Sequence, residues 1–247
     1  MLSVEKYLDI RQRPAGKPLM FQRWSNLAFC HFPVDPTELQ RHLPVGLTLD
    51  TFPDSQGNEM AWIGIVTFEM SGIQFVGAPK IPFHSDFPET NVRTYVHRDG
   101  EAPGVYFFSL DASNWIACKV ARALYSLPYT HAEICVKQHE NQMEYRLRRL
   151  EEPLAELDFQ YEIGEPMPPP EVGTFDFWAV ERYLLYSVHH GEINVGRVWH
   201  EPYPICHLHT PKLNSTLCES LDLPSKPPER FVFSPGVSVE VFALEQT

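Results

Sequence analysis

The chain has no Cys-x-x-Cys pair, no His-Glu-x-x-His, no Gly-x-Ser-x-Gly elbow, no Walker loop and no Gly-x-Gly-x-x-Gly. Zincin, serine-hydrolase, nucleoside-triphosphatase and Rossmann chemistry therefore lack the spacings they need. Glycine is scarce, with 13 residues in 247, whereas proline reaches 23. Stiff turns and strand edges follow from that balance, rather than flexible linkers. Positive charge is also short: 20 Lys and Arg against 32 Asp and Glu leave a formal charge of -12. Nucleic acid is excluded as a partner, because phosphate binding needs clustered Lys and Arg. The one local basic cluster, Arg146, Arg148 and Arg149, has Glu144 beside it and Glu151 and Glu152 after it, and reads as a solvated strand face. No apolar run approaches the ~18 residues of a membrane-crossing helix. The N-terminus is too polar for a signal peptide. The five cysteines (Cys30, Cys118, Cys135, Cys206 and Cys218) are scattered and odd in number, which suits reduced thiols in the cytoplasm.

What is present points to a real core, since 43% of residues are hydrophobic and 13% aromatic. Short alternating or apolar runs recur along the whole chain. Residues 91–96 place Val92, Thr94 and Val96 on one face and Asn91, Arg93 and Tyr95 on the other, the pattern of a half-buried strand. Residues 105–110 are nearly all apolar, as in a strand covered on both faces, and the turn pairs between the two runs make them a β-hairpin. A helix follows, with Ser113 at its cap and Ile116, Ala117, Val120, Ala121 and Leu124 on one side. Pro128 ends it. Residues 144–151 and 157–163 alternate as antiparallel neighbours with one wet face.

Elsewhere, Asp35-Pro36-Thr37-Glu38 is a strong helix start. Residues 46–52 and 60–70 read as strands, and 71–85 as a loop. Residues 166–170 form a rigid connector, and 175–186 suit either helix or strand. His190-Gly191 suits a turn, residues 193–199 its return strand, and 237–243 a closing strand after Pro235-Gly236. The tally is an α+β protein, mostly antiparallel β, with a few short helices on a bent sheet or barrel. One domain over residues 1–247 is expected.

Polar groups gather where strand and helix stop. Glu89 is either an exposed loop carboxylate or, with Arg93 four residues on, half of a polar recognition site. Tyr129 and His131 alternate on the strand after Pro128. Asp111 reads as a helix cap and Lys119 as a solvated lysine. His207 and His209 share a strand face near Cys206, but no carboxylate stands close by in sequence, so neither metal nor cofactor is expected.

Several longer strings carry a resemblance. They are Phe-Pro-Glu-Thr-Asn-Val-Arg-Thr-Tyr-Val (87–96), Pro-Gly-Val-Tyr-Phe-Phe-Ser-Leu-Asp-Ala (103–112), Ala121-Arg122 and Leu-Pro-Tyr-x-His-Ala (127–132). Leu43-Pro44 with Gly46-Leu47, Phe175-Asp176-Phe177-Trp178 with Glu181-Arg182-Tyr183, and Ser234-Pro235-Gly236-Val237 complete them. Together they resemble the YqjF-like family of uncharacterised proteins, within the acetoacetate-decarboxylase-like superfamily. The resemblance implies a bent antiparallel sheet closing into a cone or barrel around a cavity. It also implies what is missing. Acetoacetate decarboxylase forms a Schiff base through a lysine whose pKa is lowered by a neighbouring lysine. The matching positions here are Tyr129 and Thr130, and neither can form an imine.

The enzyme's cavity glutamate matches Glu89, and its cavity arginine falls near Arg23. The expected site is therefore Glu89 and His131 as proton-moving groups, with Arg23, Arg93 and Tyr129 binding a small carboxylate or carbonyl compound. A non-catalytic pocket for a hydrophobic ligand or a protein partner is the rival. Self-association is compatible with either.

Overall fold

Runs that bury both faces need partners on both sides, and this chain supplies them by closing its strands into rings. The computed structural model describes residues 2–77, 86–125, 127–189, 191–243 and 245–246, without the side chains at 120, 121, 123–125, 189, 245 and 246. Helix α1 (Val4–Arg11) precedes the long strand β1 (Met20–Val34). Helix α2 (Pro36–Gln40) and the two-residue strands β2 (Thr48–Leu49) and β3 (Phe52–Pro53) lead into β4 (Glu59–Phe75). The hairpin of β5 (Phe87–Arg98) and β6 (Glu101–Ala112) comes next, then helix α3 (Trp115–Tyr125). Strands β7 (Tyr129–His139), β8 (Gln142–Arg149) and β9 (Glu156–Pro166) form a meander, followed by helix α4 (Phe175–Val180). Strands β10 (Leu184–His189), β11 (Glu192–His200), β12 (Cys206–Ser215), β13 (Arg230–Val241) and β14 (Glu245–Gln246) complete the order.

The pairings define two rings with a common wall. One runs β5–β6–β7–β8–β9–β12–β13–β1–β4 and returns to β5; the other runs β6–β10–β11–β13–β1–β4–β5 and returns to β6. All pairs are antiparallel except β6–β7 and β6–β10. Strands on either side of the 166–170 connector pair with one another, β9 with β12 and β6 with β10. The first ring is filled by side chains such as Cys30, Ile63, Val92, Tyr145, Phe159 and Phe233. The second holds a cavity. Strands β1, β4, β5, β6 and β13 belong to both, so alternate residues on them face a packed core and an open chamber.

Local sequence explains most of the elements. Asp99 (φ 51°) and Gly100 (φ 77°) make the two-residue turn joining β5 to β6, where both central residues need positive φ. Asp35 caps α2 by accepting from the Thr37 and Glu38 amides at 2.8 and 3.0 Å. The segment 175–186 resolves into both of its alternatives in sequence, helix α4 and then strand β10.

Other expectations are corrected. Strand β4 runs on through residues 71–75 that read as loop; the rest of that loop, 78–85, lies outside the described residues. The cap of α3 is Asn114, whose Oδ1 accepts from the Ile116 and Ala117 amides at 3.1 Å each; the Ser113 amide instead donates to Pro88 O. The side chains of the expected apolar positions Val120, Ala121 and Leu124, and the whole turn residue His190, are outside what the structure describes. Pro235 and Gly236 sit within β13 rather than before it, and a Cβ on Gly236 would meet Trp24 O at 2.2 Å.

Asp111 caps nothing. It accepts from Arg149 Nε at 2.6 Å and Nη2 at 2.9 Å, with both residues almost fully buried. Arg149 Nη1 also donates to Pro153 O and Ser220 Oγ. The third arginine of the basic cluster is thus turned inward, while Arg146 and Arg148 pair with Asp158 and Glu133 on the exposed face. Replacing Arg149 by Met strands a buried carboxylate, and urea unfolding should show a loss of about 3–5 kcal/mol. A loss below about 1 kcal/mol would mean that the pair does not tie β6 to β8.

Candidate functional site

Strand β5 supplies one wall of the cavity through every second residue: Phe87, Glu89, Asn91 and Arg93. The intervening residues turn into the filled ring, where Thr90 Oγ1 donates to Tyr145 Oη at 3.0 Å and Val92 is fully buried. The face that reads as uncovered from the sequence is therefore the chamber face. The cavity measures about 260 Å³, and its lining is mostly apolar, including Trp24, Val66, Phe68, Phe107, Leu110 and Val198. Ile116 on α3 belongs to the lining and is 41% exposed, so the chamber reaches the surface there.

Glu89 is 1% exposed. Tyr129, the first residue of β7, donates its Oη to Glu89 Oε2 at 2.9 Å. Burial pushes the Glu89 carboxyl up to about 8, the negative charge of Asp111 adds to the rise, and the Tyr129 hydrogen bond opposes it. Among the described residues no cation pairs with Glu89. Burial also raises Tyr129 well above the ordinary tyrosine range and holds nearby Cys118 as a thiol at about 11. At neutral pH the site presents a largely protonated carboxylic acid beside a phenol.

Arg93 does not complete a pair with Glu89. Four residues bring side chains together on a helix, but along a strand they span about 13 Å. Its guanidinium instead donates through Nη2 to Ala179 O at 3.3 Å and lies over the rings of Phe29 and Tyr95 at 5.5 and 5.6 Å. Around it, His31 Nε2 shares a 2.6 Å hydrogen bond with Tyr95 Oη, and burial holds His31 well below its ordinary pKa. His200 is lowered to about 4, chiefly by burial. Both imidazoles are neutral.

The Glu181-Arg182-Tyr183 string stands behind this end of the cavity. Arg182 Nη1 donates to Asp50 Oδ2 at 2.8 Å, and Trp178 and Tyr7 donate to the same carboxylate. Glu181 accepts from Tyr183 Oη and the Tyr203 amide and faces Arg11 at 3.4 Å.

The structure thus brings Glu89, Tyr129 and Arg93 to one cavity and leaves two sequence candidates elsewhere. Arg23 is exposed, on the face of β1 opposite Gln22 and Trp24, which do line the chamber. His131 lies two residues past Tyr129, about 7 Å farther along β7. It stands opposite Ala112 and is absent from the lining. Asn91, Arg182, Arg197 and Tyr203 are lining residues that sequence reasoning did not place there. For Asn91 the signal was present, since alternation carried back from Arg93 reaches it and then Glu89. The expectation of no carboxylate near His207 and His209 is also corrected: Glu165 stands 3.7 and 3.1 Å from their Nε2 atoms. Among the described residues no group of three or more His, Cys, Asp or Glu is arranged to hold a metal ion. None of their helices is long and apolar enough to cross a membrane.

Interlocked rings around an acid-lined chamber, mostly antiparallel, define an acetoacetate-decarboxylase-like fold. It is shared with the enduracididine biosynthesis enzyme MppR, solved with the condensation product of pyruvate and imidazole 4-carboxaldehyde (TM-score 0.63, 12% identity, covering 94% of this chain and 90% of that one). It is shared equally with an acetoacetate decarboxylase (TM-score 0.62, 15% identity, 95% and 90% coverage). The chain belongs to the DUF2071 family, described as an uncharacterized conserved protein, whose model matches residues 21–238. It is 34% identical over 191 residues to the uncharacterized protein YqjF of Bacillus subtilis (strain 168), covering 77% of this chain and 76% of that one.

The raised Glu89 pKa has a testable consequence for stability. Between the ordinary value of 4.5 and about 8 the folded state holds a proton that the unfolded chain releases. This contribution to stability is complete below the lower value and is lost as pH climbs to the upper one. Glu89→Gln should therefore gain on the wild type from pH 5 to pH 9, by on the order of a few kcal/mol in denaturant unfolding. Parallel pH profiles for the two proteins would refute the buried, protonated carboxyl.

Proposed function

We propose that this protein, acting as one domain over residues 1–247, binds a small organic carbonyl or carboxylate compound in its cavity and moves a proton on it through Glu89. The observation that carries this is the Glu89–Tyr129 pair, a carboxyl at about 8 held at 2.9 Å from a phenol in an apolar chamber. A group with a pKa near the working pH is suited to general acid–base catalysis. In the ionised fraction that a carboxyl at about 8 keeps near neutral pH, Glu89 would take the proton from the carbon beside a carbonyl while Tyr129 donates to the carbonyl oxygen, which stabilises the developing enolate. His131 and Arg23 have no part in this reading, because neither lines the chamber.

Covalent amine catalysis of the acetoacetate-decarboxylase type is not part of it either. No described lining residue is a lysine. Lys119 is exposed on α3, with its Nζ 4.5 Å from the centre of the Trp115 ring. Of the structural relatives, one is an enzyme solved with the condensation product of pyruvate and imidazole 4-carboxaldehyde and another is an acetoacetate decarboxylase, which is consistent with carbonyl ligands. We place the protein in the cytoplasm on its free thiols, all five cysteines being unpaired.

A second reading is favoured by the lining itself. Its apolar character also suits a carrier that holds a hydrophobic ligand, alone or within a homo-oligomer, without turning it over. Deuterium exchange separates the two. In D₂O at pH 7 the protein should speed loss of the proton signals beside the carbonyl of octan-2-one, followed by NMR, and Glu89→Gln should remove roughly a hundredfold or more of that effect. Saturable binding with no exchange would leave the carrier. Borohydride added with acetoacetate should leave the protein mass unchanged; a trapped adduct on any lysine would overturn the non-covalent mechanism.

A further inference from the structure

The cavity has two polar ends, and only one of them is neutral. At the Glu89 end the acid is largely protonated and its partner is a phenol. At the other end the charges can be balanced group by group. Arg182 is cancelled by Asp50, and Arg11 faces Glu181. The imidazoles of His31 and His200 are neutral. Arg93 remains. Among the described residues it has no carboxylate within ion-pair distance, and its buried Nε has no hydrogen-bond partner. Nη2 of Arg182, another lining residue, is also buried and unpartnered, and both guanidiniums lie over the Tyr95 ring. Arg93 is half-buried, so its guanidinium is only partly hydrated, and a ligand carboxylate in the chamber would give it charge-assisted hydrogen bonds.

The room available is about 260 Å³. At the ~30 Å³ that a water occupies in the liquid, this is space for about nine waters, the scale of a medium-chain organic ligand. Glu89 and Arg93 are about 13 Å apart along β5, of which the side chains close only a part. The Arg93 guanidinium turns toward Tyr95 Oη, 3.5 Å from Nη2, and not toward Glu89, which favours a ligand longer than a four-carbon keto acid.

We infer that the cavity takes an oxo acid whose carboxylate and carbonyl are separated by several carbons, the carboxylate held by Arg93 and the carbonyl oxygen by Tyr129 and Glu89. This rests on the reading of Glu89 and Tyr129 as the carbonyl-binding pair and adds the anion-binding end and the spacing. The apolar walls between the ends then cover the chain that joins the two groups. Arg93 sets specificity and takes no part in the proton transfer.

Calorimetric titration of the full chain at pH 7 with 7-oxooctanoate, octan-2-one, octanoate and acetoacetate tests this. The oxo acid should bind about tenfold or more tighter than each of the other three. Arg93→Gln should bring it to within a few-fold of octan-2-one while leaving octan-2-one unchanged. Glu89→Gln should weaken octan-2-one and leave octanoate unchanged. Equal binding of octan-2-one and the oxo acid, or tightest binding of acetoacetate, would overturn the inference and leave the proton-transfer reading intact. A preference for the oxo acid that depends on Arg93 but is untouched by Glu89→Gln and Tyr129→Phe would sink the proton-transfer reading, and the carbonyl assignment with it. Should Arg93→Gln fail to fold, the wild type decides through 7-oxooctanoate against its neutral amide: equal affinity overturns the inference. No saturable binding of any probe overturns both.

Discussion

Strand β5 has no face in water, and the rest of the site follows from that. Its even-numbered residues Thr90, Val92 and Thr94 pack toward the filled side of the wall, and the polar groups of Glu89, Asn91 and Arg93 go into the chamber. A carboxylate placed there without a cation would lose several kcal/mol of hydration, and Glu89 avoids the loss by keeping its proton. An arginine has no such escape, since its guanidinium cannot be deprotonated at any ordinary pH. Arg93 is therefore left charged over aromatic rings. One constraint, burial of both strand faces, thus produces an acid at one end of the chamber and an unneutralised cation at the other.

Each end is backed by a buried ion pair, Arg182 being the one member that also lines the chamber. Arg149–Asp111 lies behind Glu89 and joins β6 to β8 across β7, and Asp111 also helps to keep Glu89 protonated. Arg182–Asp50 lies behind Arg93 and joins the residue that follows α4 to the loop after β2, with Trp178 and Tyr7 on the same carboxylate. Fixed frames of this kind hold a site's groups in place without occupying the space a ligand needs. The packed ring supplies the apolar burial that such a frame requires.

Much of this was legible in the sequence. The hairpin, its Asp-Gly turn and the capped helix α2 obey local rules that need no partner, and they appear where those rules place them. Glu89, Arg93 and Tyr129 were found because they flank the ends of such elements. The failures share a cause, which is that period-2 alternation tells two faces apart but not what lies against each. Asn91 and Arg93 read as the uncovered face of a half-buried strand, and only ring closure turns that face into a chamber wall. Asp111 read as a cap because Arg149, 38 residues away, is invisible to local pattern. Arg23 came from an uncertain register in the resemblance, and one residue of register is enough to turn a side chain from the chamber to the outside.

The two rings share β1, β4, β5, β6 and β13, whereas β10 and β11 belong to the chamber ring alone. A side chain exchanged on the shared wall disturbs the packed interior or stands directly behind residues that do. One exchanged at the chamber-facing positions Leu185, Gly196 or Val198 reshapes the chamber and leaves the filled ring untouched. Such a molecule can diversify what it accommodates along one arc while the opposite arc stays under the discipline of folding, so relatives with different appetites should differ first in that stretch of chain.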